Sequence, residues 1–136
     1  MIENDISVTN AEEVASLDYY MPEAFIKGSL FGLSFGSQKL FRVIIALYEH
    51  SYKDILPVGI AVELIPELKD KEILALVVSE LRKGMLFHPV ERELNFRLFD
   101  NVELAENEIH FQLSKESRNK IDLFIVENIA SVTINC

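Results

Sequence analysis

Few residues in this sequence have the types and the spacing that a chemical step requires. The histidines are His50, His88 and His110, and no two of them lie four residues apart, the spacing that puts two metal ligands on one side of a helix. Cys136 is the single cysteine. A disulfide within the chain is therefore impossible, and a zinc site built from paired cysteines is not expected.

The carboxylates do not form a catalytic pattern either. One group of them lies close together in the last third of the chain and consists of Asp100, Glu103, Glu106 and Glu108. It lacks the alternating oxygen ligands and the central glycine of a calcium-binding loop. The sequence also has no Gly-x-Ser-x-Gly nucleophile motif, no phosphate-binding glycine-rich loop and no dinucleotide fingerprint. We expect a protein that is not an enzyme and uses no metal or cofactor.

The basic residues are the remaining candidates, because lysine and arginine contact the phosphates of nucleic acids. The candidate DNA contacts are Lys69, Lys71, Arg82, Lys83, Arg92 and Arg97. The whole chain, however, has 13 basic and 22 acidic residues and a formal net charge of −9, which opposes binding to a polyanion. We expect weak or conditional DNA binding. The alternative is that these are ordinary solvated charges, with Glu80 and Lys83 close enough to pair along one helix.

Apolar periodicity predicts the helices that would position these residues. The predicted segments are about 10–18, 37–50, 60–68 and 71–83, and a strand is the alternative for 60–68. Asp70 is a good N-cap for the 71–83 helix, and Gly84 ends it. The apolar stripes of 37–50 and 71–83 are wide, which is typical of a deeply buried helix or of a self-association face.

After Gly84 the apolar period changes to that of β-strands. A short strand is predicted at 85–88, and a hairpin is predicted from 94–104 and 109–113, with Asn107 in a left-handed turn conformation. Ser114 then caps another helix, and residues 129–134 form either a last strand or an extension of that helix. The acidic residues 1–20 are expected to form an arm, and residues 21–136 a single domain.

The predicted order of elements indicates an α+β fold of winged-helix type. Three or four helices come first, a β-hairpin wing follows them, and a further helix ends the domain. The prediction rests on local period and on the order of the elements along the chain.

Three stretches of the sequence resemble the first winged helix of plasmid replication initiator proteins. They are Leu33-Ser34-x-x-x-Gln38-x-Leu40, the run Glu80-Leu81-Arg82-x-Gly84-Met85-Leu86-Phe87, and the predicted hairpin beginning Phe96-Arg97-Leu98-Phe99. The resemblance covers about residues 30–125. It implies a cytoplasmic protein of plasmid replication whose winged helix dimerises and contacts DNA. The acidic charge of this chain differs from that of a basic initiator.

Apolar residues outside a narrow helical stripe indicate where another protein chain could bind. The candidate dimer-interface residues are Phe31, Phe35, Ile125, Val126 and Ile129. We expect a homodimer that acts mainly through protein contacts. The alternative is a self-associating module with no role in DNA binding.

The sequence predicts neither export nor membrane insertion. The N-terminal residues lack the basic and apolar regions of a signal peptide, and the longest nearly apolar run, 43–48, is far shorter than the about 20 residues of a membrane span. A single thiol without a disulfide partner fits a reducing compartment. We therefore expect a cytoplasmic protein without membrane contact.

Overall fold

The computed structural model of the chain describes residues 11–15, 25–26, 28–51, 54–90, 92 and 95–122. This part has the α+β class that the sequence predicts. Its helices are α1 (Ala11–Ala15), α2 (Phe35–Ser51), α3 (Val58–Leu64), the 3-10 helix Pro66–Lys69 and α4 (Lys71–Lys83), and residues 115–122 are also helical. Its strands are β1 (Ser29–Phe31), β2 (Ile55–Pro57), β3 (Met85–Phe87), β4 (Phe96–Arg97), β5 (Phe99–Ala105) and β6 (Glu108–Leu113).

The long helices form where the sequence predicts them, because polar side chains satisfy their first backbone donors. Asp70 accepts a 2.9 Å hydrogen bond from the backbone N–H of Glu72 and so caps α4. Helix α2 begins earlier than the predicted Ser37. The Ser34 carbonyl accepts the N–H of Gln38 at 3.0 Å, and the Ser34 hydroxyl accepts the N–H of Ser37 at 3.4 Å. Ser34 is therefore the residue that starts α2.

The predicted hairpin belongs to a three-stranded sheet with the order β2-β6-β5. Strands β5 and β6 make an antiparallel hairpin, and β2, between α2 and α3, pairs with β6. The hairpin spans 99–105 and 108–113, so its predicted first strand, 94–104, began too early. The predicted left-handed residue was also wrong, since Glu106 has φ 56° and Asn107 does not have a positive φ.

The missing part of the predicted hairpin strand belongs to a second sheet. Strand β4 pairs with β3, and β3 pairs with β1, in a small antiparallel sheet that was not predicted as a unit. Leu98 joins the two sheets, because its N–H donates to the carbonyl of Gly84 and its carbonyl accepts the N–H of Ser114. Arg97 therefore lies in the β1-β3-β4 sheet, and its placement on the hairpin wing was wrong.

Helix α2 lies at the centre of the core. Leu40, Phe41, Ile44 and Ile45 on this helix are almost completely buried. They belong to one cluster with the inner side chains of α4 and of both sheets, which include Leu81, Leu86, Leu98, Phe99, Val102 and Ile109. One continuous core of this size is typical of a single small domain.

Some predictions fall outside the described residues. These are the acidic arm other than 11–15, the final segment 129–134, and the interface candidates Ile125, Val126 and Ile129. In the part of the chain that the structure covers, no helix has both the length and the apolar character needed to cross a membrane.

Candidate interaction surface

The segment that joins β1 to α2 runs along one side of α4. A Cβ atom built on Gly84 would lie 2.8 Å from Cδ2 of Leu33. Ser34 bonds to Glu80, one turn of α4 earlier, and a Cβ built on Gly36 would lie 3.6 Å from Cγ2 of Val77. Residues 33–36 therefore follow α4 from its end toward its middle, in the direction opposite to the helix.

Large apolar side chains are exposed along this side of α4. Phe35 is 73% exposed and Leu76 is 56% exposed, while the neighbouring helix residues Leu74 and Val77 are buried. Ile73, Leu76 and Glu80 share one side of the helix because they are three, four and seven residues apart. We call this surface the α4 flank and define it by Phe31, Phe35, Ile73, Leu76 and Met85.

Beyond the C-terminal end of α4, the flank continues onto the outer face of the β1-β3-β4 sheet. Phe31 lies opposite Met85, and Met85 lies opposite Arg97, so the three side chains share one face. Phe31 also packs edge-on against Phe87, with ring centroids 5.5 Å apart. Buried Leu86 and Phe96 occupy the inner face. This outer face is thus apolar, with one guanidinium on its β4 side.

The carboxylate of Glu67, which lies near Phe35, forms an ion pair with Lys39. The Lys39 ammonium lies 4.5 Å from the centroid of the Phe35 ring and 3.1 Å from Oε2 of Glu67. A hydrogen bond from its own backbone N–H and the hydrogen bond from Lys39 lower the pKa of Glu67 below its ordinary value. Lys39 therefore covers both an aromatic ring and a carboxylate.

The carboxylate of Glu80 is held in the same way by two serines. It accepts hydrogen bonds from the Ser34 hydroxyl at 2.7 Å, the Ser34 N–H at 3.1 Å and the Ser37 hydroxyl. Burial raises the pKa of Glu80, but the bonds from Ser37 and Ser34 outweigh it and lower the pKa below the ordinary value. All three of these bonds end on Oε1, and the structure shows no ion pair between the described residues Glu80 and Lys83, which the alternative interpretation of the charges had paired.

The predicted DNA contacts are spread along α4 and beyond its end. Lys69 and Lys71 flank the start of α4 and Arg82 and Lys83 end it, about 18 Å away at 1.5 Å per residue. Arg82 turns toward the hairpin, where its Nε donates to the carbonyl of Val102 at 2.8 Å. The exposed cations are therefore divided between the two ends of the helix.

The other two predicted contacts lie beyond the end of α4. Arg97 is exposed in β4, opposite Met85. Arg92 is also exposed, and its carbonyl accepts the N–H of Asn95 at 3.0 Å. Neither arginine belongs to the β5–β6 hairpin that forms the wing.

The wing itself is acidic. Residues 99–113 contain no lysine or arginine. Their carboxylates are all exposed and belong to Asp100, Glu103, Glu106 and Glu108. His110 Nε2 lies 3.3 Å from Oε1 of Glu108. Within the described ranges, no group of three histidine, cysteine or carboxylate side chains is close enough to hold a metal ion.

The sequence predicted part of this surface. It named Phe31 and Phe35, which are exposed, but did not name Ile73, Leu76 or Met85 as interface residues. The available signal was the width of the apolar stripe of α4, which exceeds what the core can bury. Met85 was missed because its strand was predicted without a partner strand that would define an inner and an outer face.

Comparison with known proteins finds no relative of this chain. No family model, no curated protein and no solved structure matches the chain.

Proposed function

We propose that this chain is a cytoplasmic winged-helix-like interaction module that forms a homodimer through the α4 flank and binds DNA only weakly or conditionally. The observation that carries the proposal is the exposure of Phe35 and Leu76, 73% and 56%, on the surface of a small domain. Neighbouring exposed apolar side chains of this size are typical of a protein interface. The resemblance to replication initiators stays a prediction.

The side chains of α4 favour a protein partner over DNA. Helix α4 has the position of a recognition helix, being the last helix before the hairpin. A recognition helix places hydrogen-bonding side chains against base edges. Here Ile73, Ala75 and Leu76 are exposed in the middle of the helix. The carboxylates of the hairpin add repulsion toward phosphates.

The charges of the flank favour a second copy as the partner. Two chains of net charge −9 repel each other over most of their surfaces. On the flank, however, Glu67 is paired with Lys39, and Glu80 accepts hydrogen bonds from two serines. Lys83 ends α4, and Arg97 lies opposite Met85 on the outer sheet face. Of the carboxylates beside these apolar side chains, Glu67 and Glu80 are thus already partnered, whereas Glu72, one turn before Leu76, is exposed.

Light scattering coupled to size exclusion tests the dimer. We expect the full chain to elute as a dimer and Leu76→Glu to elute as a monomer with an unchanged circular dichroism spectrum. Leu104→Glu is the matched control, because Leu104 is 39% exposed on the hairpin, outside the flank. A monomeric wild-type chain at high concentration, or a Leu76→Glu variant that still dimerises, would contradict the proposal.

Fluorescence anisotropy distinguishes this function from a module with no role in DNA binding. A labelled duplex is titrated with the chain from about 20 to 200 mM salt. Binding at low salt that weakens steeply as salt rises indicates phosphate contacts and supports conditional DNA binding. No binding at the lowest salt supports the alternative, a self-associating module alone.

A further inference from the structure

One line of side chains on α4 faces away from the core and carries opposite charges at its two ends. We call it the outer line and define it by Glu72, Leu76, Ser79 and Lys83. Spacings of four, three and four residues place these side chains on one side of a helix. Glu72 and Lys83 are exposed, and Leu76 is 56% exposed. The buried residues of α4 centre on the opposite side of the helix and are Leu74, Val77, Val78 and Leu81.

The outer line is complementary to itself when a second copy is placed against it in the opposite direction. The midpoint between Glu72 and Lys83 along the sequence is also the midpoint between Leu76 and Ser79. A two-fold axis through this point, perpendicular to the helix, places Glu72 opposite Lys83 of the second copy. The same axis places Leu76 opposite Ser79 of the second copy. Each pair then occurs twice, because a two-fold interface pairs residue i with j and j with i.

The sizes and charges of the opposed side chains suit this antiparallel arrangement. A large side chain, Leu76, meets a small one, Ser79, which allows two helices to pack at the usual distance of about 8–10 Å. A parallel arrangement about a two-fold axis would instead bring Glu72 beside Glu72 of the second copy and Lys83 beside Lys83. Like charges at such positions repel each other. The charges of the outer line therefore select the antiparallel direction.

We propose that two copies of this chain dimerise through antiparallel α4 helices, with an ion pair between Glu72 of one copy and Lys83 of the other at each end of the contact. The inference rests on the proposed function, because it specifies how the α4 flank receives a second copy. Leu76 of both copies lies near the centre of the interface. The ion pairs lie at its rim, where charges determine orientation and register more than affinity.

Charge reversal at the two ends of the outer line tests this arrangement in the full chain. Glu72→Lys turns both proposed ion pairs into lysine pairs, and Lys83→Glu turns both into glutamate pairs. We expect each variant alone to raise the Kd of the dimer about tenfold, measured by light scattering over a dilution series. We expect an equimolar mixture of the two variants to form a heterodimer with nearly the wild-type Kd, because every lysine then faces a glutamate. Native mass spectrometry detects this heterodimer when one variant is ¹⁵N-labelled.

A second charge reversal on the same helix separates the ion pair from a general effect of charge. Lys71→Glu changes the net charge as much as Lys83→Glu does, but Lys71 projects about 100° around the helix from Glu72. We expect this variant to dimerise with the wild-type Kd. Glu72 and Lys83 also lie where the dipole of their own helix favours them. If that were their role, each reversal would weaken its own helix, and mixing the two variants would restore nothing.

The outcomes distinguish this inference from the proposed dimer itself. A monomeric wild-type chain would overturn both. The antiparallel arrangement alone would be overturned by a wild-type dimer that Leu76→Glu disrupts but that neither charge reversal weakens. A mixture of Glu72→Lys and Lys83→Glu that forms no heterodimer would overturn it as well.

Discussion

The carboxylate of Glu80 in α4 accepts a 2.7 Å hydrogen bond from the hydroxyl of Ser34, which lies 46 residues earlier in the chain at the start of α2. The same hydroxyl accepts the N–H of Ser37 and so takes part in capping α2. One carboxylate on α4 thereby fixes the position of the start of α2 and of the segment that carries Phe35. The shape of the α4 flank depends on this contact.

Glu80→Gln is expected to lower the free energy of unfolding by about 1 kcal/mol at neutral pH, because hydrogen bonds to a charged group are stronger than bonds between neutral groups. The effect is no larger because the carboxylate of Glu80 is partly in contact with water. The pKa of Glu80 is lower in the folded chain than its ordinary value of 4.5. Such a carboxylate adds stability above its unfolded pKa and loses that contribution as the pH falls through its folded pKa. The difference between wild type and variant should therefore shrink below about pH 4.5.

Urea denaturation of both proteins between pH 7 and pH 3 measures this difference. Glu103→Gln is the matched control, since Glu103 is an exposed carboxylate on β5. We expect the control to be close to wild type at pH 7. A Glu80→Gln difference that stays constant down to pH 3 would show that the bonds to the carboxylate are not the source of the stability.

Gly84→Ala is expected to destabilise the fold through a steric clash and not through backbone strain. Gly84 has φ −63° and ψ 145°, which alanine adopts readily. A Cβ there would lie 2.8 Å from Cδ2 of Leu33 and 3.2 Å from the carbonyl oxygen of Glu80. We expect a loss of about 1–3 kcal/mol, typical of overpacking.

Gly59→Ala is the matched substitution with the opposite expected sign. Gly59 lies in α3, and a Cβ built there meets no atom within 4 Å. Alanine favours the helix and restricts the unfolded chain, so we expect a gain of about 0.5 kcal/mol. Thermal unfolding of both variants measures the two effects. If both lower the melting temperature equally, the close approach of Leu33 to Gly84 is not the cause.

The sequence predicted the elements whose signals are local. Apolar periodicity over many residues predicted helices α2 and α4. Asp70 was predicted as the N-cap of α4, and its side-chain oxygen does accept a hydrogen bond from the backbone N–H of Glu72. Gly84 was predicted as the end of α4, and it is, although its role is to admit Leu33 and not to adopt a left-handed conformation.

The sequence did not predict the elements that depend on distant partners. Strands β1 and β2 have three residues each, too few for a recognisable alternation, and they exist because residues such as Leu30 and Leu86, or Leu56 and Ile109, meet across the fold. The alternation of Phe96 and Leu98 continues into 99–105, so it could not show that the chain changes sheets at Leu98. The bonds from Ser34 and Ser37 to Glu80 were hidden for the same reason.

Tyr48→Phe tests the attachment of the helical residues 115–122 to α2. The Tyr48 hydroxyl lies 3.1 and 3.2 Å from the two carboxylate oxygens of Asp122 and donates to them. Removing the hydroxyl should cost about 1 kcal/mol, since Asp122 loses a charge-assisted hydrogen bond. Hydrogen exchange should become faster at 115–122 while the buried centre of α2 at Ile44 and Ile45 stays protected. Unchanged exchange at 115–122 would contradict this role of Tyr48.

The carboxylates of the hairpin are expected to limit DNA binding, and a pair of charge-reversed variants tests this. Glu103→Lys with Glu106→Lys changes the net charge by four units at the exposed tip and strand of the wing. Glu12→Lys with Glu13→Lys makes the same change on the exposed side of α1. If the wing faces the duplex, only the hairpin variant gains affinity, and its salt dependence steepens by about 0.9 in the logarithmic slope for each new phosphate contact. Equal gains by both variants would show that net charge alone governs binding, and no gain by either would show that the wing does not approach DNA.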